Sequence, residues 1–164
     1  KGMAAIPLVS PLHAGLFGDD ETAVLFSAEA EIAAMVEVER ALARLQGAGG
    51  LIPAGAAAVL DRELSGIAPT PAELTAGTAA AGVPVPALVA ALRQKLSRPA
   101  ADYLHFGATS QDIVDTALML RLARTLALFE ARLVDIVVQL SALAARHRAT
   151  PMAGRTRGQI AKLA

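Results

Sequence analysis

Apolar residues recur with helical spacing between Ser27 and Gln46. The apolar positions follow one another at steps that fit a helix: Ile32, Met35, Val36, Leu42 and Leu45. The charged positions fall largely elsewhere: Glu37, Glu39, Arg40 and Arg44. This pattern is typical of an amphipathic helix that covers a core with one face. Ser27 is a suitable N-cap, and the glycines that begin at Gly47 end the pattern, so we predict a helix from Ser27 to about Gln46.

Three shorter helices are predicted from their start and stop signals. Proline is favoured in the first turn of a helix, which predicts a second helix from Pro53 to about Leu64. The segment Thr70-Pro71-Ala72-Glu73 has the capping-box pattern and opens a third helix that ends near Gly82. A fourth is expected from Pro86 to about Leu96. With abundant Ala and Leu, which favour helices, the chain is predicted to be all-α.

A much longer helix is predicted from Gln111 to about His147. Thr109 and Asp112 form another capping-box arrangement, and no Gly or Pro follows until Pro151. A row of apolar residues, here called the seam, follows at steps of three or four: Leu118, Leu122, Leu126, Phe129, Leu133, Ile136, Leu140 and Leu143. Such a helix is about 55 Å long, whereas a compact domain of this size is about 35 Å across. The four short helices therefore cannot cover the seam, which needs partner helices from later in the chain or from other subunits.

This length mismatch predicts that the chain is incomplete as an independent fold. Lys1-Gly2 before Met3, and the final Lys162-Leu163-Ala164, are expected to come from a cloning vector. No basic segment followed by an apolar one opens the chain, and prolines and glycines interrupt its longest uncharged stretch. Together with the absence of Cys, these features predict a soluble, cytoplasmic protein with no membrane role.

The net charge is zero, which argues against a nucleic-acid partner. The charge is nevertheless unevenly distributed: residues 1–92 carry 4 basic and 10 acidic side chains, and residues 93–164 carry 11 basic and 5 acidic ones. A basic second half is compatible with a small polyanionic substrate. Solvated helix faces and interfaces explain the same distribution equally well.

The segment from His105 to Thr116 carries the strongest chemical signal. It places the hydroxyls of Thr109 and Ser110, and free backbone N–H groups, at the start of a long helix. Such a helix end favours a bound carboxylate. Gly107 permits close approach of a ligand, and His105 lies on the preceding loop. A well-capped helix with an incidental histidine remains the alternative.

This segment has the form H-x-G-x-T-S-x-D-x-x-D-T, and a second block, Gly154-Arg155-Thr156-Arg157-Gly158-Gln159, follows the long helix. Together they resemble the two substrate-binding blocks of the carboxymuconate-cycloisomerase and adenylosuccinate-lyase branch of the fumarase/aspartase superfamily. The resemblance covers residues 6–161. It implies an N-terminal helical domain at residues 1–108 and, at residues 109–164, the start of the superfamily's central helical bundle, of which the long helix is the first.

Arg157 distinguishes between the branches. Adenylosuccinate lyases carry their general-acid histidine at this position, whereas carboxymuconate cycloisomerases lack it. A guanidinium holds a carboxylate with two hydrogen bonds but does not release a proton near neutrality. We therefore expect a cycloisomerase, although an ordinary surface turn is an alternative reading of Arg155 and Arg157.

The resemblance implies conversion of 3-carboxy-cis,cis-muconate into carboxymuconolactone in protocatechuate breakdown. It implies that Thr109, Ser110 and Gln111 bind one carboxylate of a polycarboxylate substrate, and that Arg157 and Gln159 form a second anion site. His105 is expected to bind substrate or to transfer a proton. The family's mobile loop with its catalytic serine is absent from this sequence, so we expect the chain alone to be inactive. No metal or organic cofactor is implied, and the whole protein is expected to be a homotetramer.

Several alternatives remain open at this point. Another superfamily lyase, acting on adenylosuccinate or a fumarate-type substrate, is the nearest; a non-enzymatic helical scaffold that oligomerises through the seam is the most distant. His13 and His147 are interpreted as structural, and three scattered histidines predict no metal site. The pair Asp112 and Asp115 fits helix capping better than paired catalytic carboxylates.

Overall fold

The computed structural model of the protein describes residues 12–155 and 160–163, with side chains described as far as residue 151. The chain divides into two compact units, Lys1–Thr125 and Leu126–Ala164. The helices begin with α1 (Ala14–Phe17), α2 (Asp20–Leu25), α3 (Ala28–Ala48), α4 (Ala54–Leu64), α5 (Pro71–Ala81) and α6 (Val85–Lys95). A short 3₁₀ helix (Ala100–Tyr103) precedes α7 (Ser110–Arg146), which begins in the first unit and ends in the second.

Local capping determines where these helices begin and end. The Ser27 hydroxyl accepts the N–H of Ala30 at the start of α3. At the start of α5, Thr70 and Glu73 form a complete capping box, and Gly82 ends the helix in the left-handed conformation with φ of 76°. Because these signals lie within four residues of each helix end, they can be read from the sequence. The four predicted short helices and the long helix are all confirmed, with ends within two residues of those expected.

The core of the first unit is built from α3, α4, α5, α6, the 3₁₀ helix and the first turns of α7. Its largest buried apolar side chains come from five segments: Met35, Leu60, Leu64, Leu88, Leu92, Leu104 and Ile113. Small residues allow close helix packing, since a Cβ on Gly47 of α3 would lie 2.4 Å from the Cβ of Ala57 in α4. The short predicted helices thus form one packed body that holds the loop before α7.

The core-facing stripe of α3 differs from the predicted one. Glu39 was expected on the polar side, yet it is only 1% exposed, whereas Leu45 was expected in the core and is 73% exposed. The buried stripe continues from Met35 through Glu39 to Ala43 and Gln46. These positions are also three or four residues apart, so helical spacing alone allowed either face; the packing of α3 on its neighbours selects this one.

The seam of α7 is exposed along most of its length. In the first unit α7 buries Ile113, Ala117, Arg121 and Thr125. From Leu126 onward, every member of the seam is between 42% and 64% exposed. The prediction that the short helices cannot cover the seam is confirmed for the residues that the structure describes.

The second unit contains the last turns of α7 and two short strands, β1 (Met152–Arg155) and β2 (Ile160–Leu163). They pair antiparallel, with Met152 opposite Leu163 and Arg155 opposite Ile160. The sequence did not predict these strands, although the all-α class is confirmed for the rest of the described chain. None of the described helices has the length and apolar content that crossing a bilayer requires.

The boundary between the units falls after Thr125 because the first turns of α7 pack on the N-terminal core. The predicted boundary between residues 108 and 109 concerns the domains of the whole protein, and it stays a prediction.

Candidate functional site

The loop from Leu104 to Ala108 is fastened to the core by side chains of α3 and α6. Arg93 of α6 donates a hydrogen bond to the carbonyl of Leu104 at 3.0 Å. Gln46 of α3 donates to the carbonyl of Phe106 at 2.6 Å. The backbone is therefore held on both sides of His105.

His105 itself is held by a buried carboxylate. Its Nδ1 lies 2.6 Å from Oε1 of Glu39, whose side chain is completely buried, while the histidine side chain is 18% exposed. Its other ring nitrogen, Nε2, has no hydrogen-bond partner within the described ranges. His105 has φ of 59°, a left-handed conformation that costs a residue with a side chain about 1–3 kcal/mol. The contacts around His105 thus hold its imidazole in one position, although the left-handed backbone conformation is unfavourable for this residue.

The electrostatic state of Glu39 reflects its position in the core. Burial raises the pKa of this carboxyl, while the hydrogen bond to His105, the charge of that ring when it is protonated, and the charge of Arg93 oppose the rise. Oε2 of Glu39 is buried and has no hydrogen-bond partner among the residues that the structure describes. Glu39 was not predicted as a site residue, although one signal was present: Glu39 and Gln46 are polar residues three or four positions from the apolar residues of a core stripe.

At the start of α7, Thr109 and Asp112 form a reciprocal pair. The N–H and the hydroxyl of Thr109 both lie 2.8 Å from Oδ2 of Asp112, and the N–H of Asp112 returns to the Thr109 hydroxyl at 3.3 Å. The N–H of Thr109, then its hydroxyl, lower the pKa of Asp112, and the charge of His105 adds to this. The capping interpretation of Asp112 is therefore confirmed, and His105 lies close enough to this helix end to act on its charge.

The three residues expected to bind a carboxylate here differ in which of their hydrogen-bond donors are already engaged within the described ranges. The Thr109 side chain is engaged with Asp112, and the Gln111 amide donates to Oδ1 of Asp115 at 2.6 Å. The hydroxyl of Ser110 has no partner in the part of the chain that the structure describes, nor do the backbone N–H groups of Ser110 and Gln111. Ser110 and two N–H groups are thus the donors that this helix end offers without rearrangement.

The second predicted anion site cannot be placed. Arg157 and Gln159 lie outside the described residues, and of Arg155 only the backbone, in β1, is described. His13 stacks near Phe17, with ring centroids 6.3 Å apart, and His147 Nδ1 lies 3.4 Å from the Thr150 hydroxyl. Within the described ranges, no group of three or more His, Cys, Asp or Glu side chains is arranged to hold a metal ion.

Comparison with known proteins relates this site to a family of enzymes. The sequence model of the family described as "Lyase" matches residues 22–162. A nitrosuccinate lyase of Streptomyces davaonensis is 43% identical over 91% of this chain and 31% of its own length. A 3-carboxy-cis,cis-muconate cycloisomerase of Pseudomonas aeruginosa is 38% identical over 80% of this chain and 29% of its own length. An adenylosuccinate lyase of Methanothermobacter thermautotrophicus is 36% identical over 87% of this chain and 32% of its own length.

Solved structures agree with these relatives. A fumarate lyase from Mesorhizobium sp. BNC1 matches with a TM-score of 0.82 and 44% identity, covering 87% of this chain and 34% of that one. The 3-carboxy-cis,cis-muconate lactonizing enzyme from Pseudomonas putida matches with a TM-score of 0.84 and 34% identity, covering 93% and 35%. The chain spans about a third of the length of the curated relatives it matches. On the strength of the family match and the shared helical fold, the chain belongs to the lyase family of the fumarase/aspartase superfamily.

Proposed function

We propose that the whole protein to which this chain belongs is a cycloisomerase that converts 3-carboxy-cis,cis-muconate into carboxymuconolactone. The observation that carries this proposal is Arg157, which stands where adenylosuccinate lyases carry their general-acid histidine. An arginine there binds an anion and does not supply a proton. Relatives of this chain that bear the name 3-carboxy-cis,cis-muconate cycloisomerase support the choice of substrate.

The proposed reaction is an internal addition that needs no second reactant. One carboxylate oxygen of the substrate forms a bond to a carbon of a double bond, and the adjacent carbon takes up a proton. The protein must bind three carboxylates, stabilise the negative charge that develops on one of them, and hold the attacking oxygen near its target.

The start of α7 would bind one carboxylate through the Ser110 hydroxyl and the N–H groups of Ser110 and Gln111. The positive end of the helix dipole favours an anion there. Thr109 would act mainly by keeping this helix end open and ordered, because its own hydroxyl is engaged with Asp112. Arg157, with Gln159, would bind a second carboxylate, and His105 would meet the substrate through Nε2.

The proposal extends to the parts of the site that this chain does not contain. The main proton donor or base would come from the serine-containing loop of the family, and the complete site would form between subunits of a homotetramer. The exposed seam of α7 supports such an assembly, since an uncovered apolar row of this length favours association. The proposed chemistry uses no metal or organic cofactor, and we place the protein in the cytoplasm.

A second candidate is elimination from a succinate-type substrate. It is favoured by the nitrosuccinate lyase of Streptomyces davaonensis, whose 43% identity exceeds that of the cycloisomerase from Pseudomonas aeruginosa. Elimination and internal addition both require a carboxylate whose negative charge grows in the transition state. The same helix end would therefore serve either reaction.

The test compares three substrates in the purified whole protein. Loss of the muconate chromophore from 3-carboxy-cis,cis-muconate is followed beside nitrosuccinate and adenylosuccinate, each with its own product assay. We expect lactonisation only, and an approximately 100-fold or larger loss in Arg157→Ala with partial recovery in Arg157→Lys. Turnover of nitrosuccinate or adenylosuccinate in place of the muconate would overturn the cycloisomerase proposal in favour of a lyase.

A further inference from the structure

Glu39 lies in the middle of α3 in surroundings that do not suit a carboxylate. It is 1% exposed, and its stripe neighbours Met35 and Ala43 are equally part of the apolar core, at 1% and 4%. One of its two oxygens, Oε2, has no hydrogen-bond partner in the described part of the chain. A buried polar atom without a partner costs stability, and a methionine of similar length would fill the same space without that cost. Packing therefore gives no reason for a glutamate here.

The side-chain hydrogen bond of this carboxylate is made with a ring that the fold has already positioned. The Leu104 and Phe106 carbonyls, on either side of His105, are held by Arg93 and Gln46. Oε1 of Glu39 then meets Nδ1 of the ring at 2.6 Å. This distance is typical of a hydrogen bond to a charged group. Three separate contacts thus hold three successive loop residues, and within the described ranges they leave Nε2 of His105 without a partner.

We propose that Glu39 is a positioning residue for His105: it accepts the Nδ1–H and thereby holds the neutral imidazole with an unprotonated Nε2 facing the substrate. A neutral imidazole has one N–H and one acceptor nitrogen. An acceptor that binds Nδ1 keeps the proton on Nδ1, so Nε2 becomes the acceptor nitrogen. The role of His105 at the substrate rests on the proposed function, whereas the tautomer does not.

The pair also explains how His105 would carry a proton. In the lactone-opening direction Nε2 takes the proton from the carbon while the ring C–O bond breaks, and the imidazole becomes a cation with both nitrogens protonated. Glu39 accepts the Nδ1–H and stabilises that cation, and in the lactonising direction the proton passes from Nε2 to the carbon while the C–O bond forms. Asp112, whose pKa the charge of His105 lowers, and Arg93 are the other charged groups that interact with the pair.

The tautomer is measured in the chain itself by ¹⁵N NMR of the imidazole nitrogens. The sequence has three histidines, so His13→Gln and His147→Gln assign the signals of His105. We expect the Nδ1–H form in the native protein and a shift towards the Nε2–H form, the usual one for a free ring, in Glu39→Met. An Nε2–H ring in the native protein, or an unchanged ring in Glu39→Met, would refute the proposal.

Stability and activity separate positioning from a structural role. We expect Glu39→Met to unfold at the same temperature as the native chain or higher, because it removes the unpartnered buried oxygen. In the whole protein it should lower kcat about 100-fold, within the usual contribution of a proton-transferring group, with little change in KM. Glu39→Gln keeps an acceptor oxygen but has no charge, so its kcat should lie between that of the native protein and that of Glu39→Met. A loss of folding in both variants would instead make Glu39 a structural residue.

The two proposals fail in different ways. If native His105 has the expected tautomer but the whole protein does not act on 3-carboxy-cis,cis-muconate, only the proposed reaction is wrong. If the muconate is turned over and Glu39→Met leaves kcat unchanged, only the role of Glu39 is wrong.

Discussion

The Thr109 hydroxyl donates to Oδ2 of Asp112 at 2.8 Å and accepts the Asp112 N–H at 3.3 Å. This closed pair occupies the side chain of Thr109, whereas the neighbouring hydroxyl of Ser110 has no partner within the described ranges. Two adjacent hydroxyls at one helix end therefore have different tasks. Thr109 stabilises the start of α7, and within the described ranges the Ser110 hydroxyl is left as a donor for the carboxylate of the proposed function.

This difference predicts opposite effects of two matched substitutions. Thr109→Ala should lower the free energy of unfolding by about 1 kcal/mol, the usual contribution of an N-cap. Ser110→Ala should change it by less than about 0.5 kcal/mol. In the whole protein, Ser110→Ala should lower kcat/KM about 10- to 100-fold, the equivalent of a hydrogen bond to a charged group. Urea unfolding and steady-state kinetics check both; an unstable Ser110→Ala with unchanged kinetics would contradict the assignment.

The capping carboxylate of α5 predicts a pH-dependent part of the stability. Lys95 Nζ donates to Glu73 at 2.7 Å, and with the N–H and hydroxyl of Thr70 it lowers the pKa of Glu73 from 4.5 to about 2. A carboxyl whose pKa is lower in the folded state than in the unfolded state stabilises the fold at pH values above its unfolded pKa. This contribution to the free energy of unfolding is lost as pH falls from about 4.5 towards 2.

The comparison of the native chain with Glu73→Gln isolates this contribution. The difference in urea midpoint should be largest near pH 6 and should shrink as pH falls towards 2. In a Lys95→Met background the same difference should be smaller at every pH, because the lysine supplies the largest part of the pKa shift. If the difference in urea midpoint stays constant from pH 6 to pH 2, folding does not lower the pKa of Glu73.

Close packing of α3 on α4 predicts a penalty for a single methyl group. A Cβ at Gly47 would lie 2.4 Å from the Cβ of Ala57, whereas a Cβ at Gly55 would meet nothing within 4 Å. Gly47→Ala should therefore destabilise the chain by about 1–3 kcal/mol through overpacking. Gly55→Ala, the control, should stabilise it by up to about 1 kcal/mol through helix propensity. Thermal unfolding of the two variants is the measurement, and equal effects would contradict the close approach.

The exposed seam predicts that the chain associates with itself. Leu126 and Leu133 are 64% and 60% exposed on α7. We expect concentration-dependent association in sedimentation velocity, weakened by Leu126→Gln combined with Leu133→Gln, because burial of these side chains drives it. Glu130→Gln, on the same helix, should leave association unchanged. A native chain that stays monomeric at high concentration would contradict the role given to the seam.

The ends of the helices could be predicted from the sequence because their causes are local. Ser27, the Thr70 capping box and Gly82 act on backbone groups no more than four residues away, and each is found where it was predicted. The uncovered seam was also foreseen, since the length of α7 follows from the absence of Gly and Pro. In the same way, the His105 loop and the Thr109 helix end were identified from one continuous motif.

Only the tertiary structure decided what surrounds that motif. Glu39 and His105 are 66 positions apart, and helical spacing left Glu39 equally suited to either face of α3. Packing of α3 against its neighbours buries that carboxylate, and two further long-range hydrogen bonds turn the loop towards it. Helix capping depends on hydrogen bonds between residues that are neighbours in the sequence, so it can be predicted from the sequence alone. The partner of a buried charge is set by which faces of distant helices pack together, and that depends on the whole core at once.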